Sequence, residues 1–365
     1  MFIVAYALWR PGHPAALGRT ERSLGSHIVS GMARGAAPPD TASRVLAVLP
    51  ADVEGASPPD GLTEFFGFRF GPGAIPVQDD HVFPLHIEPL VPGPRDETWY
   101  TTGQVDGGII AGVQVVESAH YLAAHMQTDL TPDQDIDEVA RESYRRLLTV
   151  ARRRGYPHLL RIWNLFPDIN AGEGDKEYYR QFSIGRGLAL DALGYQEIQL
   201  PAGTAIGTDP GTPLTITLLA GKEPSRPVEN PRQTSAYCYP RQFGPRSPSF
   251  SRGVLLKLCD RHELLISGTA SIVGHESRHD SVRQQIGETF RNIRALITQA
   301  EIICSSQQVG RRNACFRVYL RHREDLAAAQ QALASYLQPR EHVVFLRGDI
   351  CRRELALEIE GVCVL

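Results

Sequence analysis

Two glutamates near the end of the chain, Glu358 and Glu360, and an arginine-rich segment well before them are the residues whose types and spacing could do chemistry. In Leu355-Ala-Leu-Glu-Ile-Glu-Gly361 the aliphatic residues alternate with Ala356, Glu358 and Glu360, so a strand here puts both carboxyls on one face. A carboxyl in a partly apolar pocket is pushed toward its neutral form and can act as a general acid near neutral pH. The commoner state of such a face is simply solvated.

The second feature is Tyr237-Cys-Tyr-Pro-Arg-Gln-Phe-Gly-Pro-Arg-Ser-Pro-Ser-Phe-Ser-Arg252, which carries arginines, prolines and aromatics without one acid. Pro240, Pro245 and Pro248 each remove a backbone donor and fix φ, which predicts a rigid extended loop rather than a helix or central strand. Planar guanidiniums beside aromatic faces suit a flat or cyclic anion bearing carboxylates. A solvated connector packed by its own aromatics would look the same.

Smaller signals surround these two. Arg347-Gly-Asp-Ile-Cys351 places an arginine, a glycine turn and a polarisable thiol just before the glutamates, although a single cysteine is usually core filler. Gly268 interrupts a β-rich run, as a strand glycine does where a ligand or a bulge approaches the backbone. Arg161 sits in an apolar strand and must either point outward or meet an anion. His275-Glu-Ser-Arg-His279 has a superficial metal spacing but lacks a third ligand and a helical context, so no metal is assigned. Cys351 and Glu358 have opposite strand parity and can face one site only if a turn or bulge falls between them.

The elements that position these residues follow from composition and periodicity. A chain of 365 residues with 42% hydrophobic and 22% charged residues reads as a soluble protein of more than one domain. No apolar run is long enough for a membrane helix. The apolar start, Met1 to Trp9, lacks a basic leading region and reads as a strand rather than a signal peptide, which predicts a cytoplasmic protein. The six cysteines show no CxxC, so neither a zinc site nor a disulfide scaffold is expected. A net charge of −3 argues against nucleic-acid binding, and only Lys176, Lys222 and Lys257 among the basic residues are lysines.

Residues 1–98, rich in proline and glycine, leave room only for short strands at Phe2–Leu8, Ser43–Leu49 and Glu64–Phe70. From residue 99 the order is a strand at Gly107–Val116, a helix opened by Asp135 and stopped by Gly155, a strand at His158–Phe166, a helix at Glu177–Leu193 and a strand at Pro213–Leu219. The same order returns after residue 223: a strand at Leu264–Gly274, a helix capped by Asp280, a strand at Ala314–Leu320, a helix at Leu326–Leu337 and strands at His342–Leu346 and Leu355–Val364. The expectation is an α+β protein of two tandem units, 99–222 and 223–365, with mixed sheets and helices on one side, plus an irregular β-rich extension at 1–98. Sites commonly fall between such units. The sequence leaves the oligomeric state open; a monomer of two pseudo-symmetric units is one reading.

Taken together, Tyr239-Pro-Arg-Gln-Phe-Gly-Pro-Arg-Ser-Pro-Ser-Phe-Ser-Arg252, Arg161-Ile-Trp-Asn164, Ser267-Gly-Thr-Ala-Ser-Ile-Val-Gly-His-Glu-Ser277 and Leu346-Arg-Gly-Asp-Ile-Cys-Arg352 resemble the chorismatase family, in order, from about residue 99 onward. The two units, the second ending in Glu-Ile-Glu-Gly361, resemble YjgF/RidA-type domains. The resemblance implies cleavage of chorismate to pyruvate and a ring acid without metal or organic cofactor. It implies Glu358 as the acid that protonates the enol-ether methylene, and arginines on the two carboxylates. Arg241, Arg246 and Arg347 are the candidates, with Arg161 as a further one and Tyr239 as a hydrogen-bonding neighbour. Cys351, seven residues before Glu358, matches the branch resembling 3-hydroxybenzoate synthases, and Gly268 is the candidate for that branch's pocket glycine. A hydrolytic chorismatase giving a dihydroxycyclohexadiene carboxylate and a mixed 3-/4-hydroxybenzoate producer remain alternatives. So do, from another class, a RidA-like imine hydrolase and a non-catalytic metabolite-binding protein.

Overall fold

A computed structural model describes residues 47–50, 61–72, 79–91, 96–131, 133–258, 261–304, 313–339 and 341–365. The predicted strand Phe2–Leu8 and the start of Ser43–Leu49 lie outside them. A first group of strands, β1 (Ala47–Pro50), β2 (Thr63–Gly71), β3 (Val82–His86), β4 (Glu88–Pro89) and β5 (Asp96–Thr101), leads into β6 (Val105–Ile110), β7 (Val113–Ser118), β8 (Tyr121–Thr128), α1 (Ile136–Arg153), β9 (His158–Pro167), α2 (Tyr178–Ala192), β10 (Ala202–Thr208) and β11 (Leu214–Gly221). There follow β12 (Arg226–Val228), β13 (Gly253–Lys257), β14 (His262–Thr269), β15 (Ile272–Val273), β16 (Glu276–Ser277), α3 (Val282–Cys304), β17 (Asn313–Leu320), α4 (Leu326–Leu333), β18 (His342–Arg347), β19 (Asp349–Ile350) and β20 (Leu357–Val364).

Helices α1, α2 and α3 lie where periodicity puts them, while α4 ends at Leu333, short of the expected Leu337. Asp135 takes the N-cap position of α1, and Gly155 follows its end at φ 89°, a conformation that favours glycine. The expected single strand Gly107–Val116 is instead a hairpin of β6 and β7. Its turn uses positive φ at both Ala111 (51°) and Gly112 (76°), and an alanine gives no sequence warning of that conformation. β10, Ala-Gly-Thr-Ala-Ile-Gly-Thr, was not expected because its residues are too small to signal a strand. Smallness is what it needs: a methyl on Gly203 would lie 2.8 Å from Phe250 Cβ, and the Gly203 N–H donates to Ser267 Oγ at 2.9 Å.

Two seven-stranded mixed sheets result, ordered β19-β10-β9-β11-β8-β7-β6 and β12-β13-β14-β20-β17-β18-β4. Each contains one parallel pair, β9 with β10 and β17 with β18. Helices α1 and α2 cover one face of the first sheet around Leu148, Ile162 and Phe182, and α3 and α4 cover one face of the second around Ile286, Phe290 and Ile359. The opposite faces share a third core, where Leu160 and Trp163 of β9 and Leu265 and Tyr319 of the second sheet meet Phe66, Phe68, Phe83 and Trp99 of the sheet β1-β5-β2-β3. Phe66 stacks on Trp99 with centroids 5.3 Å apart, and Phe68 meets Trp163 edge-on at 5.1 Å. Each buried phenylalanine contributes roughly 1.5–3 kcal/mol, so this small sheet is part of the core that joins the larger two.

The two large sheets also exchange edges. β19, late in the chain, pairs with β10, Ile206 opposite Ile350, while the early β4 pairs with β18, Arg347 opposite Glu88. Among the described residues no helix is long and apolar enough to cross a membrane.

Candidate active site

Strand alternation on β20 sends Leu357 and Ile359 toward α3 and sends Glu358 and Glu360 into the layer between the two large sheets. Both glutamates are buried, so the solvated alternative fails. Their surroundings differ. Glu360 accepts from Arg161 Nη2 (2.6 Å), Arg317 Nη1 (3.1 Å), Trp163 Nε1 (3.1 Å), Tyr319 Oη (2.8 Å) and the Thr204 hydroxyl. Burial alone would raise its carboxyl, but Arg161 and Arg317 outweigh that and hold it below the usual range. Arg317 in turn reaches Glu97 on β5, whose carboxylate also takes the Trp99 indole N–H at 2.9 Å.

Glu358 makes no such pairs and faces a cavity of about 260 Å³. Burial, followed by the negative charge of Glu360, pushes its carboxyl up to about 8, with Arg252 and Arg161 acting in the opposite sense. Two carboxyls two residues apart are thus driven to opposite protonation states, the arrangement that separates an acid from a fixed anion. Gly268 at the end of β14 makes room: a methyl there would lie 2.7 Å from Glu358 Cδ.

Cys351 lines the same cavity because the segment between it and Glu358 is a turn, closed by Leu355 N–H to Arg352 O at 3.1 Å. Arg321 fixes this turn, donating to Leu355 O (2.9 Å), Ile350 O (3.1 Å) and Arg352 O (2.8 Å). Burial, then the neighbouring Glu358, raises the Cys351 thiol to about 12, so it is a neutral thiol rather than a thiolate. Tyr179 of α2 also faces the cavity, and its phenol is raised by burial and then by Cys351.

Five arginines line the cavity: Arg180 pairs with Glu177 and Arg353 donates to Asn170 O and Gly172 O, whereas Arg186, Arg252 and Arg352 each keep a buried guanidinium nitrogen without a partner and, among the described residues, are in no ion pair. Arg186, 2% exposed on α2, leaves Nε and Nη2 without partners and lies with Cζ 5.4 Å from the Phe182 ring centroid. Arg252 spends Nη2 on Thr234 O and Tyr239 Oη, both at 2.7 Å, and leaves Nε unpartnered. Arg352 donates Nη1 to His275 O at 2.8 Å, lies 4.2 Å from the Phe243 centroid and leaves Nη2 unpartnered. Buried unpaired cations are costly, and a bound anion would relieve that cost.

The sequence-derived candidates therefore divide. Glu358, Cys351, Gly268 and Tyr239 come together at the cavity. Arg161 does not line it but holds Glu360 behind it. Arg241 pairs with Asp175 on the exposed surface, and Arg246 pairs with Asp191 on α2. Arg347 is held by Glu88 at 2.9 Å and by Asp209, beside a separate cavity of about 340 Å³. Each of these three is neutralised by an acid distant in sequence, which the local motif could not reveal. Arg186 was missed because it sits inside a helix; its only signal is the flanking pair Gly185 and Gly187, where a methyl would meet Asp137 backbone and Arg246. Arg252 closes the segment singled out for its arginines, and Arg352 directly follows Cys351. Among the described residues no group of three or more His, Cys, Asp or Glu is placed to hold a metal.

The sequence and the fold have counterparts among known proteins. A family model described as "Chorismatase FkbO/Hyg5-like, N-terminal" matches residues 97–220. A 3-hydroxybenzoate synthase of Streptomyces hygroscopicus is 31% identical over 296 residues, 78% of this chain and 86% of that protein. A chorismatase of Streptomyces rapamycinicus is 34% identical over 274 residues, 73% of this chain and 81% of that one. A chorismatase crystal structure superposes with a TM-score of 0.77 at 27% identity, covering 88% of this chain and 99% of that one. The chain belongs to the chorismatase family.

Proposed function

We propose that the protein cleaves chorismate to pyruvate and 3-hydroxybenzoate with Glu358 as the general acid. The observation that carries this reading is a buried carboxyl, raised to about 8, facing a cavity lined by three guanidiniums, those of Arg186, Arg252 and Arg352, that keep unpartnered buried nitrogens. Chorismate brings two carboxylates for Arg186, Arg252 and Arg352, and an enol ether whose methylene carbon is a weak base. Glu358 gives its proton to that carbon, leaving an oxocarbenium in the side chain. The ring hydroxyl then displaces the side-chain oxygen and the side chain leaves as pyruvate. The ring loses a proton as it aromatises, and Glu358, now a carboxylate, is placed to recover one. The two products account for every atom of chorismate, so no water is consumed.

Cys351 as a neutral thiol and Gly268 as a residue without a side chain support this branch: both keep the wall beside Glu358 small and free of a positioned hydrolytic base. Incubating the purified protein with chorismate, with pyruvate assayed enzymatically and ring acids separated by chromatography, tests the reading. Pyruvate with 3-hydroxybenzoate as the main ring product is expected, and Glu358→Gln should lower turnover at least about 10²-fold, the lower range for a general acid. A dihydroxycyclohexadiene carboxylate as the main product would reject the branch, and normal turnover by Glu358→Gln would reject the acid.

A further inference from the structure

Glu360 and Glu358 share one face of β20, and same-face neighbours on a strand stand roughly 7 Å apart. Glu360 does not line the cavity, yet it has five donors, more than structural satisfaction of one carboxylate requires: Arg161, Arg317, Trp163, Tyr319 and Thr204. These come from β9, β17 and β10, so the anion is fixed from both large sheets at once. Thr204 also accepts the Gly268 N–H at 3.1 Å, which ties the anion to the residue that shapes the Glu358 carboxyl's niche.

We propose that Glu360 is a positioning residue for the reaction, a permanent buried anion that governs how readily Glu358 holds and gives up its proton, with Arg161 setting the opposing influence. The inference rests on the reading of Glu358 as the acid. The other groups lining the Glu358 cavity are Tyr179, Arg180 and Arg186 from α2, Arg252 before β13, Tyr239 in the loop and Cys351, Arg352 and Arg353 in the turn. Of the cations, Arg252, and Arg161 from behind the cavity, favour the ionised form of Glu358. Two further carboxyls that line the cavity, Glu177 and Glu354, act on Cys351. Of the groups acting directly on Glu358, Glu360 is the acid that favours the protonated form. Across roughly 7 Å at an effective dielectric near 20, one charge moves a neighbour's titration by about one to two pH units.

The test is the titration of Glu358 in the free enzyme by carboxyl carbon NMR, its signal assigned by loss in Glu358→Gln, together with the alkaline limb of the kcat/KM profile for pyruvate release. Glu360→Gln should move both to lower pH by about one to two units, and Glu360→Asp, which keeps the charge, should leave both close to wild type. Arg161→Gln should move both to higher pH. Opposite directions in the two charge-removing variants are not the result of a merely structural role, which lowers kcat without moving the limb. An unmoved Glu358 titration in Glu360→Gln, or a shift of Arg161→Gln to lower pH, overturns the proposal. Should Glu360→Gln not fold, Arg161→Gln decides alone. Activity surviving in Glu358→Gln would reject the acid instead, while the titration would still report on Glu360.

Discussion

Gly268→Ala is the smallest change that reaches the proposed acid. The added methyl would lie 2.7 Å from Glu358 Cδ and 3.3 Å from Cγ, and nearer still to Oε1. Carbon atoms rest at about 3.5–4.0 Å, so the carboxyl must retreat by roughly 1 Å. Gly268 is not among the residues with positive φ, and the backbone itself therefore accepts alanine. The effect should fall on the carboxyl: a displacement of that size costs about 10²-fold in rate, and overpacking costs about 1–3 kcal/mol in stability. Pyruvate release coupled to lactate dehydrogenase gives the rate, chromatography of the ring acids gives the product, and a thermal melt confirms folding. The ring product should also shift toward the dihydroxy diene as the niche changes shape. A folded Gly268→Ala enzyme with wild-type turnover and wild-type product would refute the placement of Glu358 as acid against this wall.

The same carboxyl makes stability depend on pH. Its ordinary value is 4.5 and its folded value about 8, so between these the folded chain holds a proton that the unfolded chain has released, and stability falls as pH rises through that window. At pH 7 the cost is roughly 2–4 kcal/mol. Glu358→Gln should therefore melt higher than wild type at pH 8 and about equally at pH 5; equal melting at both would show the carboxyl to be less perturbed. Arg186→Met should lower kcat/KM by roughly 2–5 kcal/mol of transition-state binding, as expected for a buried charge that loses its partner anion. Arg347→Ala, whose guanidinium already has Glu88 and Asp209, should stay within about threefold of wild type, since a partly exposed pair contributes little. Steady-state kinetics checks both, and an equal loss in the two variants would place the anion elsewhere.

The alternation of Leu355 to Gly361 was enough to put Glu358 and Glu360 on one face, because side-chain direction on a strand is a local property. Whether that face was wet was not local. It depends on Arg161, 199 residues away from Glu360 in the chain, and on Arg317, 43 away. The turn that brings Cys351 beside Glu358 depends on Arg321, which no feature near residue 351 announces. The helices α1 and α3 were legible from their stripes, whereas β10 was not, since a strand of glycine, alanine and threonine is selected by the close approach of Phe250 and Ser267 rather than by its own propensity. The pairing of the arginines is non-local in the same way. Arg241, Arg246 and Arg347 look free in a sequence and are not, while Arg186 looks like a helix surface residue and is buried.

The exchanged edge strands bear on how the chain reaches this state. The Arg347–Glu88 contact joins residues 259 apart, and β10 pairs with β19, which is made long after it. During synthesis the first sheet must wait with the edge of β10 unpaired, and the second cannot use β4 until β18 has emerged. Late closure over such a sequence separation is entropically costly and slow. It also couples the two halves, because neither sheet is complete without a strand from the other end of the chain. Denaturation should accordingly be one cooperative event rather than two, and a nascent chain released before β18 and β19 would present open edges prone to pairing with other chains.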